Sequence, residues 1–236
     1  MQRSTPVFIV TSSRPRNGKT MVARALTEFF CAQRRPVSAF DVNPDGFKLI
    51  DCLPAYTAAA SINDTRGEMA LFDQLVLPDG TPKVVDLGHS MFDRFFAVMQ
   101  QIDFVAATHR QGVTPMVLFL ADPDPRTRQG YLMLRDRFAG LPLIPVFNEA
   151  VPRVSLHRSN FPPTRRGGEP VRIPALTPVL RSVVERPGFS FVSYAARTND
   201  TTSELYGWMR RVFVTFRELE VRLLLGEIAP ALRQSA

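Results

Sequence analysis

Hydrophobic residues along this chain alternate between short apolar runs and longer amphipathic stretches. Apolar runs of about four to eight residues are typical of buried strands, and apolar residues at three- and four-residue spacings indicate a helix with one buried face. We predict strands at Val7–Thr11, Val37–Val42, Lys83–Leu87, Pro115–Ala121, Leu143–Phe147 and Phe189–Tyr194. We predict helices at Gly18–Arg35, Thr65–Leu77, Met91–Phe104, Pro125–Phe138, Leu176–Glu185 and Thr202–Leu225.

This order of elements predicts a three-layer α/β fold. Strands that are apolar throughout are buried on both faces, as in a mostly parallel sheet, and right-handed crossovers place helices on both faces of that sheet. The 236 residues suit one domain, and no internal repeat divides them. We therefore expect residues 1–236 to form a single domain, with an exposed loop rich in Arg, Pro and Gly at Val151–Pro170.

Composition narrows the class of protein further. With 45% hydrophobic and 22% charged residues, the chain lacks the composition of a disordered protein. We find neither an apolar run of roughly 18 residues nor a signal peptide, so we expect a cytoplasmic protein without membrane association. The net charge of +7 is compatible with nucleic acid, anionic lipid or an acidic protein as partner.

The most informative segment follows the first predicted strand. There, a loop leads into Gly18-Lys19-Thr20 at the start of a predicted helix. Strand, loop, Gly-Lys-Thr and helix are the parts of a phosphate-binding loop, in which backbone N–H groups and the helix dipole attract an anion. The simpler alternative is an ordinary strand–helix turn with an exposed lysine.

This loop resembles the deviant phosphate loop of the ParA/MinD family of dimeric P-loop ATPases. The family pattern is Lys-Gly-Gly-x-Gly-Lys-Thr, and this chain has Arg14-Pro15-Arg16-Asn17-Gly18-Lys19-Thr20. Four later segments resemble family motifs in the same order: Asp41-Val42-Asn43-Pro44-Asp45-Gly46, Val84-Val85-Asp86-Leu87-Gly88, Val146-Phe147-Asn148 and Val171-Arg172-Ile173-Pro174. The resemblance covers roughly Pro6–Pro174.

The resemblance implies ATP or ADP with Mg²⁺ as cofactors. The phosphates would be held by the Lys19 side chain, by the other loop residues and by backbone amides at the helix start: Arg14, Arg16, Asn17, Gly18, Lys19, Thr20 and Met21. Thr20 would bind Mg²⁺ directly, Asp86 would hold it through water, and Asp41 would lie beside it. Asn148 would hydrogen-bond the adenine base. Alternatively, Asp41 and Asp86 are turn carboxylates at strand ends, and Asn148 is a turn-capping amide.

Three departures from the family pattern affect catalysis. First, Arg14 replaces the signature lysine that reaches across the nucleotide-sandwich dimer. Second, Pro15 and Arg16 replace two glycines. Because proline cannot adopt the backbone angles of glycine, the loop must differ in shape or lose one N–H group at Pro15. Third, Asn43 stands where the family has a carboxylate that activates water. An amide can orient water but cannot take its proton, and we do not expect Asp45 to substitute. We assign catalytic roles to Lys19, Asp41 and Asn43 and expect weak or absent hydrolysis.

We therefore expect an ATP-binding ParA/MinD-like switch that acts as a nucleotide-dependent regulator or scaffold of a partition, conjugation or secretion assembly. One alternative is an active dimeric ATPase for DNA partition or cargo positioning. Another is a basic module that binds DNA or protein and keeps a vestigial phosphate loop. A homodimer, non-specific DNA or a protein is the expected partner beside the nucleotide. The final helix is expected to pack on the core, with a dimer face or a membrane-surface helix as alternatives.

Overall fold

The computed structural model describes residues 4–44, 48–151, 160–164, 166–186 and 188–234, with side chains in the final helix described to residue 223. These residues include seven strands: β1 Thr5–Thr11, β2 Ser38–Val42, β3 Thr57–Ala59, β4 Lys83–Leu87, β5 Val113–Leu120, β6 Leu143–Asn148 and β7 Val171–Ile173. All the strands pair in parallel within one sheet of order β3-β2-β4-β1-β5-β6-β7. The predicted α/β fold with a mostly parallel sheet is confirmed.

Helices connect these strands and follow the sheet. They are α1 Lys19–Ala32, α2 Leu49–Cys52, α3 Thr65–Leu75, α4 Phe92–Gln101, α5 Phe104–Gln111, α6 Pro125–Arg137, α7 Pro178–Val184, α8 Phe191–Arg197 and α9 Glu204–Gln234. A 3₁₀ turn at His89–Met91 precedes α4. The elements α2, β3, α5 and β7 were not predicted as such from the sequence.

Two predictions of secondary structure are wrong. Phe189–Tyr194 is not a strand, because the Ser190 hydroxyl accepts a hydrogen bond from Ser193 N at 3.2 Å and starts helix α8. The helix predicted at Met91–Phe104 is broken because Asp103 adopts a left-handed φ of 48°, and a separate helix, α5, begins after it.

The sheet separates two hydrophobic clusters, as a three-layer fold requires. Along β1, Phe8 and Val10 belong to the cluster under α1, α8 and α9, while Val7 and Ile9 belong to the cluster under α3, α4 and α6. This alternation follows from the two-residue period of a strand. Each face of the sheet is therefore covered by helices, and the ends of its strands are the places left for polar chemistry.

The final helix packs on the core, as the sequence predicted. Its core face is formed by Trp208, Val212, Phe216, Leu219 and Leu223, all of which are buried. The Trp208 indole also donates a hydrogen bond of 2.7 Å to the Pro174 carbonyl, which follows β7. Helix α9 is thereby fixed against the edge of the sheet.

A fully buried ion pair fastens α1 to the segment around α7 and α8. Arg24 and Glu28 are each about 1% exposed, with Nε and Oε1 3.3 Å apart. The Arg24 guanidinium also donates to the carbonyls of Val184 and Phe189. The Glu28 carboxylate accepts hydrogen bonds from the Ser190 hydroxyl and from backbone N–H of residue 192. Each guanidinium nitrogen of Arg24 and each carboxylate oxygen of Glu28 thus has a hydrogen-bond partner, as burial in a low-dielectric interior demands.

We expect the substitution Arg24→Leu to lower the free energy of unfolding by about 3–5 kcal/mol, because the buried Glu28 carboxylate then lacks its counter-charge. The matched control is Arg181→Leu, which breaks an exposed pair with Glu185 at the same i, i+4 spacing. The control should cost less than about 1 kcal/mol. Urea unfolding of the two variants gives the comparison, and equal losses would contradict a central role for the buried pair.

Candidate functional site

The loop between β1 and α1 has the backbone geometry of an anion-binding loop. Gly18 has a left-handed φ of 94°, which L side chains rarely adopt, and a Cβ placed there would lie 2.4 Å from Nδ2 of Asn148 and force that amide to move. Arg16 also has a left-handed φ, of 59°, which is a conformation that glycine adopts with less strain. The loop thus has a glycine-like backbone conformation at Arg16, the position where the ParA/MinD pattern has glycine.

The start of α1 presents backbone donors that no side chain caps. The first bond within the helix runs from Val22 N to Gly18 O at 3.1 Å, so the N–H groups of Lys19, Thr20 and Met21 have no partner inside the helix. The first turn of α1 has no capping side chain and no acidic residue. These are three of the amides that the sequence assigned to phosphate binding, and together with the helix dipole they favour an anion.

Lys19 lies at the centre of the loop and is only 6% exposed. Its Nζ donates to the Arg14 carbonyl at 2.5 Å and to Oδ1 of Asn17 at 3.2 Å. Burial lowers the pKa of Lys19 from 10.5 to about 8, and the nearby carboxylates of Asp86 and Asp122 oppose that shift. The ammonium group is therefore held by the loop itself.

Asp86 is placed next to the loop by the parallel register of the sheet. It pairs with Val10 of β1 on one side and with Asp41 of β2 on the other. Asp86 is fully buried, and burial raises its pKa from 3.8 to about 7, although a hydrogen bond with the Thr20 side chain lowers that pKa. Thr20 and Asp86 are thus brought together as the sequence predicted for a Mg²⁺ site.

Asp41 and Asn43 organise the segment after β2. The Asp41 carboxylate accepts hydrogen bonds from the backbone N–H groups of Asn43 at 3.1 Å and Ile50 at 3.0 Å. Burial raises the pKa of Asp41, and these backbone donors oppose the shift. The Asn43 amide Nδ2 lies 3.5 Å from Oδ2 of Asp86. Asp41 therefore acts as a turn carboxylate here and lies beside the Thr20–Asp86 pair.

Buried polar atoms without a hydrogen-bond partner gather around this loop. Among the residues that the structure describes, six of the seven such side-chain atoms lie at the end of β1, on the loop after it, on β4 or on the first turn of α6: Thr11 Oγ1, Ser12 Oγ, Arg14 Nε, Asn17 Nδ2, Asp86 Oδ1 and Thr127 Oγ1. Buried polar groups are nearly always paired, and each unpaired one costs about 1–3 kcal/mol. Their concentration in one place indicates a site for a polar ligand.

The residues present fit Mg²⁺ bound together with phosphate. Asp86 has an unpartnered carboxylate oxygen, Oδ1, and the Thr20 side chain interacts with the same carboxyl group. Within the described part of the chain, no group of three or more His, Cys, Asp or Glu side chains is placed to hold a metal ion alone. Mg²⁺ is usually held by one or two protein oxygens, with water and substrate phosphates completing its six ligands, and this donor set matches that habit.

Arg14 and Arg16, both predicted to bind the nucleotide, point to different surroundings. Arg14 forms an ion pair with Asp124, whose carboxylate also accepts from Arg126 N at 2.8 Å and caps α6. The Ser13 hydroxyl adds a second contact to the same helix through the Arg126 carbonyl. Arg16 is exposed. The loop is thereby fastened to the start of α6, a contact that the sequence analysis missed.

Asn148, predicted to contact the adenine base, lies at the end of β6 against the loop. Its Nδ2 donates to the Asn17 carbonyl and its Oδ1 accepts from Ala150 N, both at 3.0 Å. These contacts agree with the alternative of a turn-capping amide and leave one N–H of the amide group for another partner. Asn148 therefore fastens the loop from the side opposite Asp41.

Some sequence predictions fall on parts of the chain outside the described residues. These parts include Asp45 and much of the loop predicted at Val151–Pro170, with its Arg153, Arg158 and Arg165. Of the basic loop, Arg166 is described, and it donates to the Gly140 carbonyl at 3.1 Å. The contact with α6 could have been suspected from the carboxylates of Asp122-Pro123-Asp124-Pro125, because these residues stand between a predicted strand and a predicted helix and could pair with a basic loop residue. A helix start at Pro125 is predicted from the sequence, and the structure confirms it, with Asp124 as the capping residue.

Comparisons with known proteins identify no relative: no family model matches this chain, and no curated protein matches it. No helix among the described residues has the length and apolar character needed to cross a membrane. Membership of the ParA/MinD family therefore stays a prediction that rests on the ordered motifs and on the loop geometry.

The raised pKa of Asp86 predicts a distinctive pH dependence. A carboxyl whose pKa is raised on folding contributes stability that is fully present below pH 3.8 and is lost as pH rises to about 7. We expect Asp86→Asn, measured without metal, to gain stability relative to the wild type between pH 5 and pH 8. Denaturant unfolding at the two pH values measures this gain.

The control for this experiment is Asp136→Asn, which alters an exposed carboxylate on α6. Comparing each variant with the wild type at the same pH removes the contribution of the other titrating groups. A stability difference between Asp86→Asn and the wild type that is the same at both pH values would contradict a buried Asp86 that ionises near neutrality.

Proposed function

We propose that this chain binds ATP or ADP with Mg²⁺ at the β1–α1 loop and serves as a ParA/MinD-like switch with weak or absent hydrolysis. In this proposal it acts as a nucleotide-dependent regulator or scaffold of a partition, conjugation or secretion assembly. The observation that carries the proposal is the set of unpartnered buried polar atoms around Lys19, Thr20 and Asp86. Buried polar atoms are nearly always paired, so a polar ligand bound in this place would supply the partners that these atoms lack within the protein.

The available donors suit a phosphate. Three backbone N–H groups at the start of α1 and the Lys19 ammonium point to one region, where the helix dipole also favours negative charge. A bound anion would stabilise the charged form of Lys19, whose pKa is lowered to about 8 by burial. Mg²⁺, when bound, supplies positive charge that neutralises the phosphate oxygens and the Asp86 carboxylate.

The same groups support slow turnover rather than rapid catalysis. The Asn43 amide, whose Nδ2 lies 3.5 Å from Oδ2 of Asp86, cannot accept a proton from an attacking water. Asp41 is engaged by the backbone of the segment that follows β2. Binding groups are thus retained, whereas Asn43, at the position of the family's water-activating carboxylate, cannot take a proton from water.

Arg14 supports a role different from that of a standard partition ATPase. The family lysine at this position reaches into a second subunit, whereas the Arg14 guanidinium is paired with Asp124 of its own chain. Joining a second subunit through Arg14 would first require this pair to separate. The proposal therefore favours a regulator over an active dimeric ATPase.

We expect Lys19→Ala to abolish nucleotide binding while the protein stays folded. The substitution removes the one ammonium group in the loop, where it would contact the outer phosphates. Calorimetric titration with ATP and Mg²⁺ measures the affinity. The control is Arg66→Ala, which removes one positive charge from an exposed position on α3. Equal affinity in wild type and Lys19→Ala would remove the phosphate-loop assignment.

We expect Asn43→Asp to raise the rate of ATP hydrolysis, because a carboxylate can accept the proton that the amide cannot. A positioned general base typically contributes about 10²–10⁴-fold, and the lower end of that range is expected for an unoptimised site. Release of inorganic phosphate under single-turnover conditions measures the rate. Intact binding without any increase would show that a group other than Asn43 limits hydrolysis.

A further inference from the structure

The outward face of helix α9 carries a continuous stripe of exposed residues. Between residues 205 and 223, the exposed positions are Arg210, Arg211, Val214, Arg217, Glu218 and Val221. Their spacings of three, four and seven residues place them on one side of the helix, opposite the buried core face. We name this set the α9 stripe. It extends for about 17 Å along the helix at 1.5 Å per residue.

Two valines of this stripe lack apolar cover. Val214 is 51% exposed and Val221 is 45% exposed. Beside Val214, a mostly apolar groove of about 420 Å³ between α1 and α9 is lined by Phe29, Tyr206, Phe213 and Val214 itself, and the stripe residues Arg210 and Arg217 also line it. A ridge of side chains next to a groove is the surface shape that packs against another helix.

One pair of neighbouring charges on the α9 stripe, Arg217 and Glu218, is complementary to the same pair on a reversed copy of the helix. If two copies of α9 lie antiparallel about a two-fold axis between residues 217 and 218, Val214 of each copy faces Val221 of the other. Arg217 then faces Glu218 of the other copy, and both contacts occur twice. An isologous interface needs this self-complementarity, in which residue i meets j and j meets i.

The two charged residues have the exposure that this arrangement requires. Arg217 is 63% exposed and makes short contacts in its own chain with Gln33 and Glu220, at 3.1 and 3.2 Å. Glu218 is exposed and has no ion-pair or hydrogen-bond partner among the residues that the structure describes. A second copy therefore supplies Glu218 with a counter-charge that its own chain does not.

We propose that two copies of this chain associate antiparallel through the α9 stripe. The surface is distinct from the nucleotide loop: Phe29, in the adjacent groove, is ten residues from Lys19 along α1, or about 15 Å. The association therefore needs neither nucleotide nor Arg14. Because a single helix pair makes a small interface, the dimer is weak and reversible, as is typical of small contacts.

Charge reversal tests both the surface and its register. Sedimentation equilibrium of the full chain without nucleotide, from about 1 µM to about 1 mM, gives the dimer dissociation constant. We expect Glu218→Arg alone and Arg217→Glu alone each to raise that constant about tenfold or more, because like charges then meet twice. The double variant R217E/E218R restores opposite charges across the axis and should recover the wild-type constant.

Two controls separate this proposal from others. Val179→Glu alters a valine that is 72% exposed on α7, outside the stripe, and should leave the constant unchanged. Lys19→Ala should also leave it unchanged, so failure of the nucleotide proposal does not affect this result. Circular dichroism verifies that every variant is folded.

Three outcomes would overturn the proposal. The first is a wild-type chain that stays monomeric at the highest concentration, which would leave the stripe to a different protein partner. The second is a dimer whose constant does not respond to Glu218→Arg. The third is a folded double variant that fails to recover, because the antiparallel register requires recovery.

Discussion

Helix α1 is held in place by the buried pair of Arg24 and Glu28, and the position of the phosphate loop depends on it. The pair joins the middle of α1 to the segment around α7 and α8, more than 150 residues later in the chain. Because α1 begins at Lys19, the direction of its first N–H groups is set by the same contacts. An ion pair in the core, which would be costly to bury without its hydrogen-bond partners, thus orients the helix start that forms the candidate site.

The parallel sheet supplies the second constraint. Parallel strands end at the same edge of the sheet. The residues that follow or end these strands therefore lie in one region: the phosphate loop after β1, Asp41 on β2, Asp86 on β4, the segment leading to Asp124 after β5, and Asn148 on β6. These residues are up to about 130 positions apart in the chain. Open α/β sheets bind ligands at this edge, and here it also contains most of the unpaired buried polar atoms.

Sequence patterns predicted features that depend on local chemistry. The bounds of Lys83–Leu87 agree with β4, and Pro125, after the cap at Asp124, marks the start of α6 as predicted. Prediction failed where one capping hydrogen bond decided the local structure: the apolar residues of Phe189–Tyr194 indicated a strand, but the Ser190 hydroxyl caps helix α8. Prediction also failed where a contact joins distant segments: nothing local to Arg14 shows that Asp124, 110 residues later, neutralises it.

The same limit applies to the candidate site. Lys19, Thr20 and Asp86 follow from motif and strand order, because parallel register brings their elements together. Whether the Asn148 amide faces a base or the loop is decided by packing around Gly18, at the level of single ångströms. Sequence spacing does not carry that information.

The hydrogen bond from Lys19 to the Arg14 carbonyl has a consequence for any measured affinity. An anion that uses the ammonium group competes with a carbonyl of the same loop, and Arg14 is anchored to α6 through Asp124. The observed dissociation constant is then the intrinsic constant divided by the fraction of molecules in which the lysine is released. The strength of one short internal contact thus sets the ligand concentration at which the site fills.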